Sequence, residues 1–223
     1  MASNKPVLGY WNLRGIGQPI RLLLTYLEVD FEDKQYELTV ENKGAPWTAE
    51  KFSLGLDFPN LPYYIDGDVK LTQSLAIMRY LGRKFNVAGS SEPERVAISL
   101  VEQQVYDMVM AFARVAYDDN CEKLKVDYLK NLPTSLKQLS AFLGDKPFVA
   151  GTNISYVDFW LYEMLFKLTV FVPEVFSKEH HPELANLTKF VERVASLPRV
   201  AAYIKASKPA LFNGVMAKWN ATA

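Results

Sequence analysis

The 223-residue chain has one cysteine, Cys121, and two histidines, His180 and His181. One thiol cannot close an internal disulfide or supply a multi-cysteine metal site, and two adjacent histidines do not make a ligand cluster. Metal catalysis and a Cys–His nucleophile are therefore poorly supported, and the cysteine count fits a reducing cytosol. An excess of charge of one sign is also lacking. Lys+Arg and Asp+Glu both total 25, giving zero net charge. With no basic run either, nucleic acid and anionic membrane are poor partner candidates. The opening MASNKPVLGYW contains no apolar stretch long enough for a secretory signal. The most apolar later segment, Tyr156 to Val172, is broken by Asp158, Glu163 and Lys167, so it is expected as a buried helix and not a membrane span. There is no C-x-x-C, which rules out dithiol–disulfide exchange but not the binding of a thiol.

What is present describes a soluble protein with a sizeable core: 49% hydrophobic and 22% charged residues, in a chain long enough for one large domain or two modest ones. Pro6 to Tyr10 reads as a short apolar strand, followed by a turn at Arg14-Gly15. A helix follows, entered through Pro19 and striped by Ile20, Leu23, Leu24 and Leu27. Phe31 to Leu38 alternates as a second strand. Asp66-Gly67, between Tyr63-Tyr64-Ile65 and Val69-Lys70-Leu71, is a hairpin signal. At about Ser74 the period changes to that of a helix, with Leu75, Met78, Leu81 and Phe85 on one face. A βαβ unit followed by ββα is the thioredoxin-like plan. Val87 to Pro93 (VAGSSEP) reads as a linker, and everything beyond it is helical. Ile98, Val101, Val105, Met108, Phe112 and Val115 mark the core face of a long helix, and Ser155 with Asp158 fits a capping box. The expected fold class is thus α/β plus all-α: residues 1–87 thioredoxin-like, 88–94 linker, 95–223 a helical bundle.

The segment from Asn60 to Ser74, NLPYYIDGDVKLTQS, places Gln73 and Ser74 at a helix N-terminus, where free N–H groups attract a carboxylate or phosphate. The same segment resembles the glutathione-binding stretch of the cytosolic glutathione transferases, in particular their mu class. That layout, an α/β domain before an all-helical one, extends the resemblance over essentially the whole chain. It implies that Leu61-Pro62 is a cis bond presenting backbone groups to glutathione, with Gln73 and Ser74 holding its γ-glutamyl carboxylate. Without the resemblance Pro62 would read as an ordinary strand-starting proline.

The other site residues also come from the resemblance. On its own, Tyr10 in LGYWNLRG reads as a packing or interface residue. In the mu class the matching hydroxyl donates to the glutathione sulfur, which makes Tyr10 the expected catalytic residue. Trp11 and Leu13 would border the thiol, although Trp11 equally suits a core aromatic. Trp47 and Lys51 in WTAEKF match contacts to the glycyl carboxylate, and Asn60 a backbone-contacting position. Asp107, by itself a polar-face acid, matches a residue reaching the glutathione amino group in the other subunit of a homodimer. Phe58 matches an aromatic key inserted between helices of the partner; its alternative is a loop anchor in its own domain. Tyr117 would lie over the electrophile pocket and assist addition, with Leu13, Val109, Phe112 and Phe212 lining that pocket. Cys121 is read as structural.

The loop ELTVENKGAP departs from the vertebrate mu pattern. It is about two residues shorter and lacks an arginine, with Gly44 at the approximate position and Lys43 a substitute. This points to an invertebrate member and puts glutathione affinity in question. The implied activity is conjugation of glutathione, as co-substrate and without a metal, to hydrophobic electrophiles in cytosolic detoxification. The rivals are a non-catalytic carrier or structural member of the fold and a glutathione-dependent isomerase.

Overall fold

A computed structural model describes residues 5–177, 179 and 181–223; Met1 to Asn4, the start of the expected first domain and of the stretch read for a signal, lie outside them. Four strands form one mixed sheet in the order β2-β1-β3-β4. Strand β1 (Val7–Trp11) runs parallel to β2 (Glu32–Tyr36) and antiparallel to β3 (Tyr63–Asp66), which pairs with β4 (Val69–Thr72). The turn is Gly67-Asp68, one residue later than the expected Asp66-Gly67, because Asp66 still pairs with Val69 and the positive φ falls on Gly67. Helices α1 (Gln18–Tyr26), α2 (Ala45–Glu50) and α3 (Ser74–Lys84) complete the thioredoxin-like domain. β1 runs one residue further than the periodicity suggests, because Trp11 still pairs with Tyr36. β2 is shorter than expected, beginning at Glu32 and ending at Tyr36.

The remaining chain is helical: α4 (Glu92–Ala116), α5 (Cys121–Leu143), α6 (Tyr156–Phe171), α7 (Ala185–Ala195) and α8 (Pro198–Ala206). α4 begins at Glu92, inside the segment expected to be linker. Ser91 caps it by accepting from the Glu94 amide, and Pro93 falls in the first turn, where a missing N–H leaves no helical bond unmade. The apolar stripe from Ile98 to Val115 is buried as its spacing requires.

One hydrophobic core runs through both halves, joining Leu8, Ile20, Leu24 and Met78 to Val105, Phe159 and Leu165. A smaller cluster of Tyr10, Leu13, Tyr36, Trp47, Leu56, Leu61 and Tyr63 sits under the outer end of the sheet. α6 is the central helix. Its N-terminus is fixed by the capping box at Ser155 and Asp158, and the Asp158 carboxylate also accepts from the Val149 amide at 2.8 Å, tying the preceding loop to the helix.

Burial pushes the Asp158 carboxyl up from 3.8 to about 6, against the amides and hydroxyl that bond its charged form. A raised folded-state pKa means that the native state binds the proton more tightly than the unfolded chain. Stability from this group is therefore present in full below about pH 4 and is lost as pH rises through 6. Asp158→Ala should lower unfolding stability at pH 7 by about 2 kcal/mol through loss of the cap and the Val149 bond. Urea denaturation should show the wild-type advantage widening as pH falls from 7 toward 4.

Candidate active site

The end of β1 delivers Tyr10 to the junction between the two halves. The loop from Asn12 to Gly17 then folds back over the phenol ring. A Cβ on Gly17 would stand 2.4 Å from Tyr10 Cδ1, and one on Gly15, whose φ is +44°, 2.5 Å from the Tyr10 oxygen. Only a backbone without side chains can pass this close, which is why two glycines flank Ile16. The Ile16 N–H donates to the Tyr10 oxygen at 3.3 Å, and no acceptor among the described residues takes the phenolic proton. Tyr10 is 7% exposed, and burial pushes its pKa up to about 12, against the Ile16 amide. The group is a neutral donor at any physiological pH.

Three further contacts fix this loop. Buried Arg21 donates to the carbonyls of Trp11 (3.1 Å) and Leu13 (2.8 Å) while pairing with Asp33 at 3.0 Å. Arg14 makes a two-pronged bond to Glu163 of α6 at 2.8 and 2.7 Å. The amides of Arg14 and Gly15 donate to the Leu211 and Phe212 carbonyls of the C-terminal tail. The helical half thus holds the loop that holds Tyr10.

On the sheet side, the Leu61–Pro62 bond is cis, and Asn60 Oδ1 accepts from the Leu61 amide at 2.9 Å. Gln73 precedes α3 with a φ of +70°, a strained value for a residue with a side chain, and Ser74 opens the helix. The N-terminal turn of α3 has no side-chain cap, so its first amides are left for another acceptor. Trp47 is buried, stacked on Tyr63 and edge-on to Tyr36. Tyr36 donates to Glu50 at 2.8 Å and shares a bond with Tyr63 at 2.9 Å. Lys51 follows Trp47 by one helical turn, its amide donating to the Trp47 carbonyl. The short loop before them is well organised. Asn42 accepts from the Thr39 and Gly44 amides, Thr39 Oγ1 accepts from Asn42, and the Trp11 ring closes over Gly44.

Across the cleft, Tyr117 follows α4 and is 46% exposed; its hydroxyl accepts from the Gly214 amide at 2.6 Å. Tyr117 lies close enough to Tyr10 to add to the rise of its pKa, after burial. A Cβ on Gly214 would stand 3.4 Å from Leu38, so Leu38 belongs to the same wall. Val109 is half-buried beside Gly15 and Ile16. Phe112 and Phe212, expected in the pocket wall, instead lie behind it. Phe112 stacks on Trp219 and packs edge-on to Phe171, while Phe212 is fully buried against Phe171 and the Arg14 guanidinium. Position 112 falls on the core stripe of α4, so it cannot also face the cleft. Sequence reasoning missed Leu38, which lies beside the Tyr117 hydroxyl at Gly214. Met110 is exposed and borders the same groove between α4 and α5 as Asp107.

Asp107 is exposed and makes no ion pair among the described residues; it borders a cleft of about 650 Å³ between α4 and α5. Phe58 projects from the loop before β3, 75% exposed. Neither touches Tyr10's surroundings in the single chain. Cys121 is buried. No group of three or more metal-ligating side chains occurs among the described residues, and none of their helices is long and apolar enough to cross a membrane.

A thioredoxin-like sheet that brings a buried phenol to a junction with an all-helical region defines a two-part architecture, α/β followed by all-α. Residues 6–83 match the model of the glutathione S-transferase N-terminal domain, and residues 106–207 that of the C-terminal domain. The chain is 64% identical to a glutathione S-transferase of the mite Tyrophagus putrescentiae over 218 residues, 98% of each chain. It is 43% identical to glutathione S-transferase Mu 1 of Bos taurus over 91% of each. The crystal structure of the glutathione S-transferase Blo t 8 superposes with a TM-score of 0.84 at 34% identity, covering 95% of this chain and 98% of that one. The chain belongs to the glutathione S-transferase family, is an enzyme of that type, and has mu-class members among its relatives.

Gly17→Ala places a methyl group where the Tyr10 ring now lies, at a backbone conformation alanine accepts. Displacing the ring should lower kcat about 10²-fold, while far-ultraviolet circular dichroism retains the helical content. Steady-state kinetics with glutathione and a chloronitroaromatic electrophile measure this.

Proposed function

We propose that the chain conjugates glutathione to hydrophobic electrophiles, with the Tyr10 hydroxyl stabilising the thiolate. One observation carries this reading: the Tyr10 oxygen receives the Ile16 N–H while its own proton is left without an acceptor. A free thiol has a pKa of about 8.5, so only a few per cent is thiolate near neutral pH. A phenol that donates to the sulfur favours the charged form, and each unit of lowering corresponds to about 1.4 kcal/mol. The amide on the phenol oxygen polarises the O–H and fixes its direction. The reaction then joins the sulfur to the electrophile and expels the leaving group, with no resident cofactor in any step.

Glutathione is assigned to the sheet side of the cleft. Trp47 and Lys51 take its glycyl carboxylate, Asn60, Leu61 and Pro62 its central backbone, and Gln73 and Ser74 its γ-glutamyl end. The uncapped first turn of α3 supports the last of these. Trp11 and Leu13 border the sulfur. Leu13, Leu38, Val109 and Tyr117 face the electrophile, and their apolar character selects apolar co-substrates. Tyr117 assists addition from the far wall. A homodimer explains the two residues that the single chain leaves unused. Asp107 reaches the partner's glutathione and Phe58 seats in the partner. Cytosolic detoxification is the setting this chemistry fits.

Tyr10→Phe should lower kcat with a chloronitroaromatic about 10²-fold, the usual effect of removing one preorganised donor, with glutathione affinity nearly unchanged. If Tyr10→Phe matched wild type, the thiolate assignment would be wrong. Because the phenol stays protonated up to about 12, the wild-type rate should rise with pH through the bound thiol's pKa and show no falling limb from Tyr10 below pH 10. Asp107→Asn should raise the KM for glutathione about tenfold and leave kcat within a factor of three, since a group at the amino end of glutathione aids binding more than chemistry. Equal KM values would remove Asp107 from the site.

A further inference from the structure

Lys167 is a buried cation that the chemistry above does not use. It lies on α6 one turn beyond Glu163 and is 7% exposed. Its Nζ stands 4.9 Å from the centre of the Phe112 ring and 5.9 Å from that of Phe212, and donates to Asn213 Oδ1 at 3.4 Å. No carboxylate of the described residues comes within 4.0 Å of it, because Glu163 is turned to the guanidinium of Arg14. Two cations and one carboxylate are therefore buried together with a net charge of +1.

The position of this charge gives it a use. Lys167, Glu163, Trp160 and Met164 of α6 and Val109 of α4 enclose a small cavity against Gly15, Ile16 and Pro19. Gly15 and Ile16 also meet the Tyr10 oxygen. These two residues therefore link the cavity that Lys167 lines to the phenol. Burying an ammonium without a carboxylate partner is unfavourable, and an apolar side chain of similar length would fill the same space at lower cost. The aromatic faces and the amide oxygen offset only part of that cost.

We propose that Lys167 is a positioning residue for the thiol chemistry: its buried, uncompensated charge supplies a fixed positive field beneath the Tyr10 hydroxyl that favours the thiolate of bound glutathione. This rests on the reading of Tyr10 as the thiolate donor. The S–H proton passes to water, and Lys167 neither takes nor releases it. The charged groups facing Lys167 are Glu163 on its own helix and Arg14 on the loop after β1. The elements packed against it from α4 and the tail present Val109, Phe112, Phe212 and Asn213, all neutral. Burial lowers the ammonium to about 8, with Glu163 raising it and Arg14 lowering it. The lysine is accordingly charged at neutral pH, and a thiolate nearby draws its pKa upward.

The thiolate of bound glutathione can be followed by its ultraviolet absorbance as a function of pH in the full-length protein. At an effective dielectric of about 20, a charge roughly 12 Å from the sulfur moves the thiol pKa by about one unit, so loss of Lys167 should raise it by that order. Lys167→Met should show that rise, with a conjugation rate about tenfold lower at pH 6.5 and recovering at high pH. Circular dichroism checks the fold. A purely structural lysine would change the melting temperature and leave the thiol pKa where it was, and that result overturns the proposal. A measurement on the wild type does not depend on any variant folding. By reciprocity, the carbon-13 resonance of the lowest-titrating lysine should shift to higher pH with glutathione bound, but not with S-methylglutathione, which forms no thiolate. Identical titrations with the two ligands overturn the proposal. Absence of a thiolate band in the wild type would overturn the Tyr10 reading and this inference together. A normal wild-type band with an unmoved variant would overturn this inference alone.

Discussion

The structure around the cleft depends on the bond between Arg14 and Glu163. Arg14 belongs to the loop that wraps Tyr10, and Glu163 to the central helix of the other half. A buried ion pair is a weak source of net stability, because desolvation cancels most of the attraction. Its value here is directional. Two parallel N–H···O bonds admit one placement of the guanidinium, and the adjoining amides of Arg14 and Gly15 are then bonded to the tail. With that segment fixed, the Ile16 amide points at the Tyr10 oxygen. A loop left to solvent would sample many arrangements and the donor would lose its aim.

The long helix α4 shows how one element serves several demands. Its core stripe, from Ile98 to Val115, is buried against the rest of the helical half. A second face carries Val109 toward Gly15 and Ile16 of the loop that wraps Tyr10. Asp107 and Met110 lie on a third face, beside the groove shared with α5. Because side chains three and four apart share a face, a single substitution on α4 acts on one of these demands and leaves the others nearly intact. Tyr117, at the helix end, also receives the Gly214 amide. The C-terminal tail is thereby coupled to both sides of the cleft, to Tyr117 directly and to Tyr10 through the Gly15 loop.

Much of this was legible in the chain. The change of period at Ser74 and the capping box at Ser155 are local signals found where their spacing put them, and the hairpin turn falls one residue later than the Asp-Gly pair suggests. The linker is shorter than its small polar residues and proline suggest, because Ser91 accepts from the Glu94 amide and starts α4 before Pro93. The resemblance implies Phe112 and Phe212 as pocket wall; Trp219 and Phe171 hold Phe112 in the layer behind it, and their approach to it is not local in sequence.

The sequence by itself determined the order of elements, the faces of the helices and the presence of Tyr10 at a strand end, since these follow from spacing, glycine and proline placement, and short-range capping. Only the tertiary structure decided that Tyr10 is buried with its proton uncommitted, and that Arg14 meets Glu163 across 149 positions of chain. It also decided that Lys167 is closed in without a carboxylate partner. Those outcomes depend on which groups from distant segments fill the same low-dielectric space. Burial and pairing there set the charge and direction of each group, and no local pattern of residues encodes them.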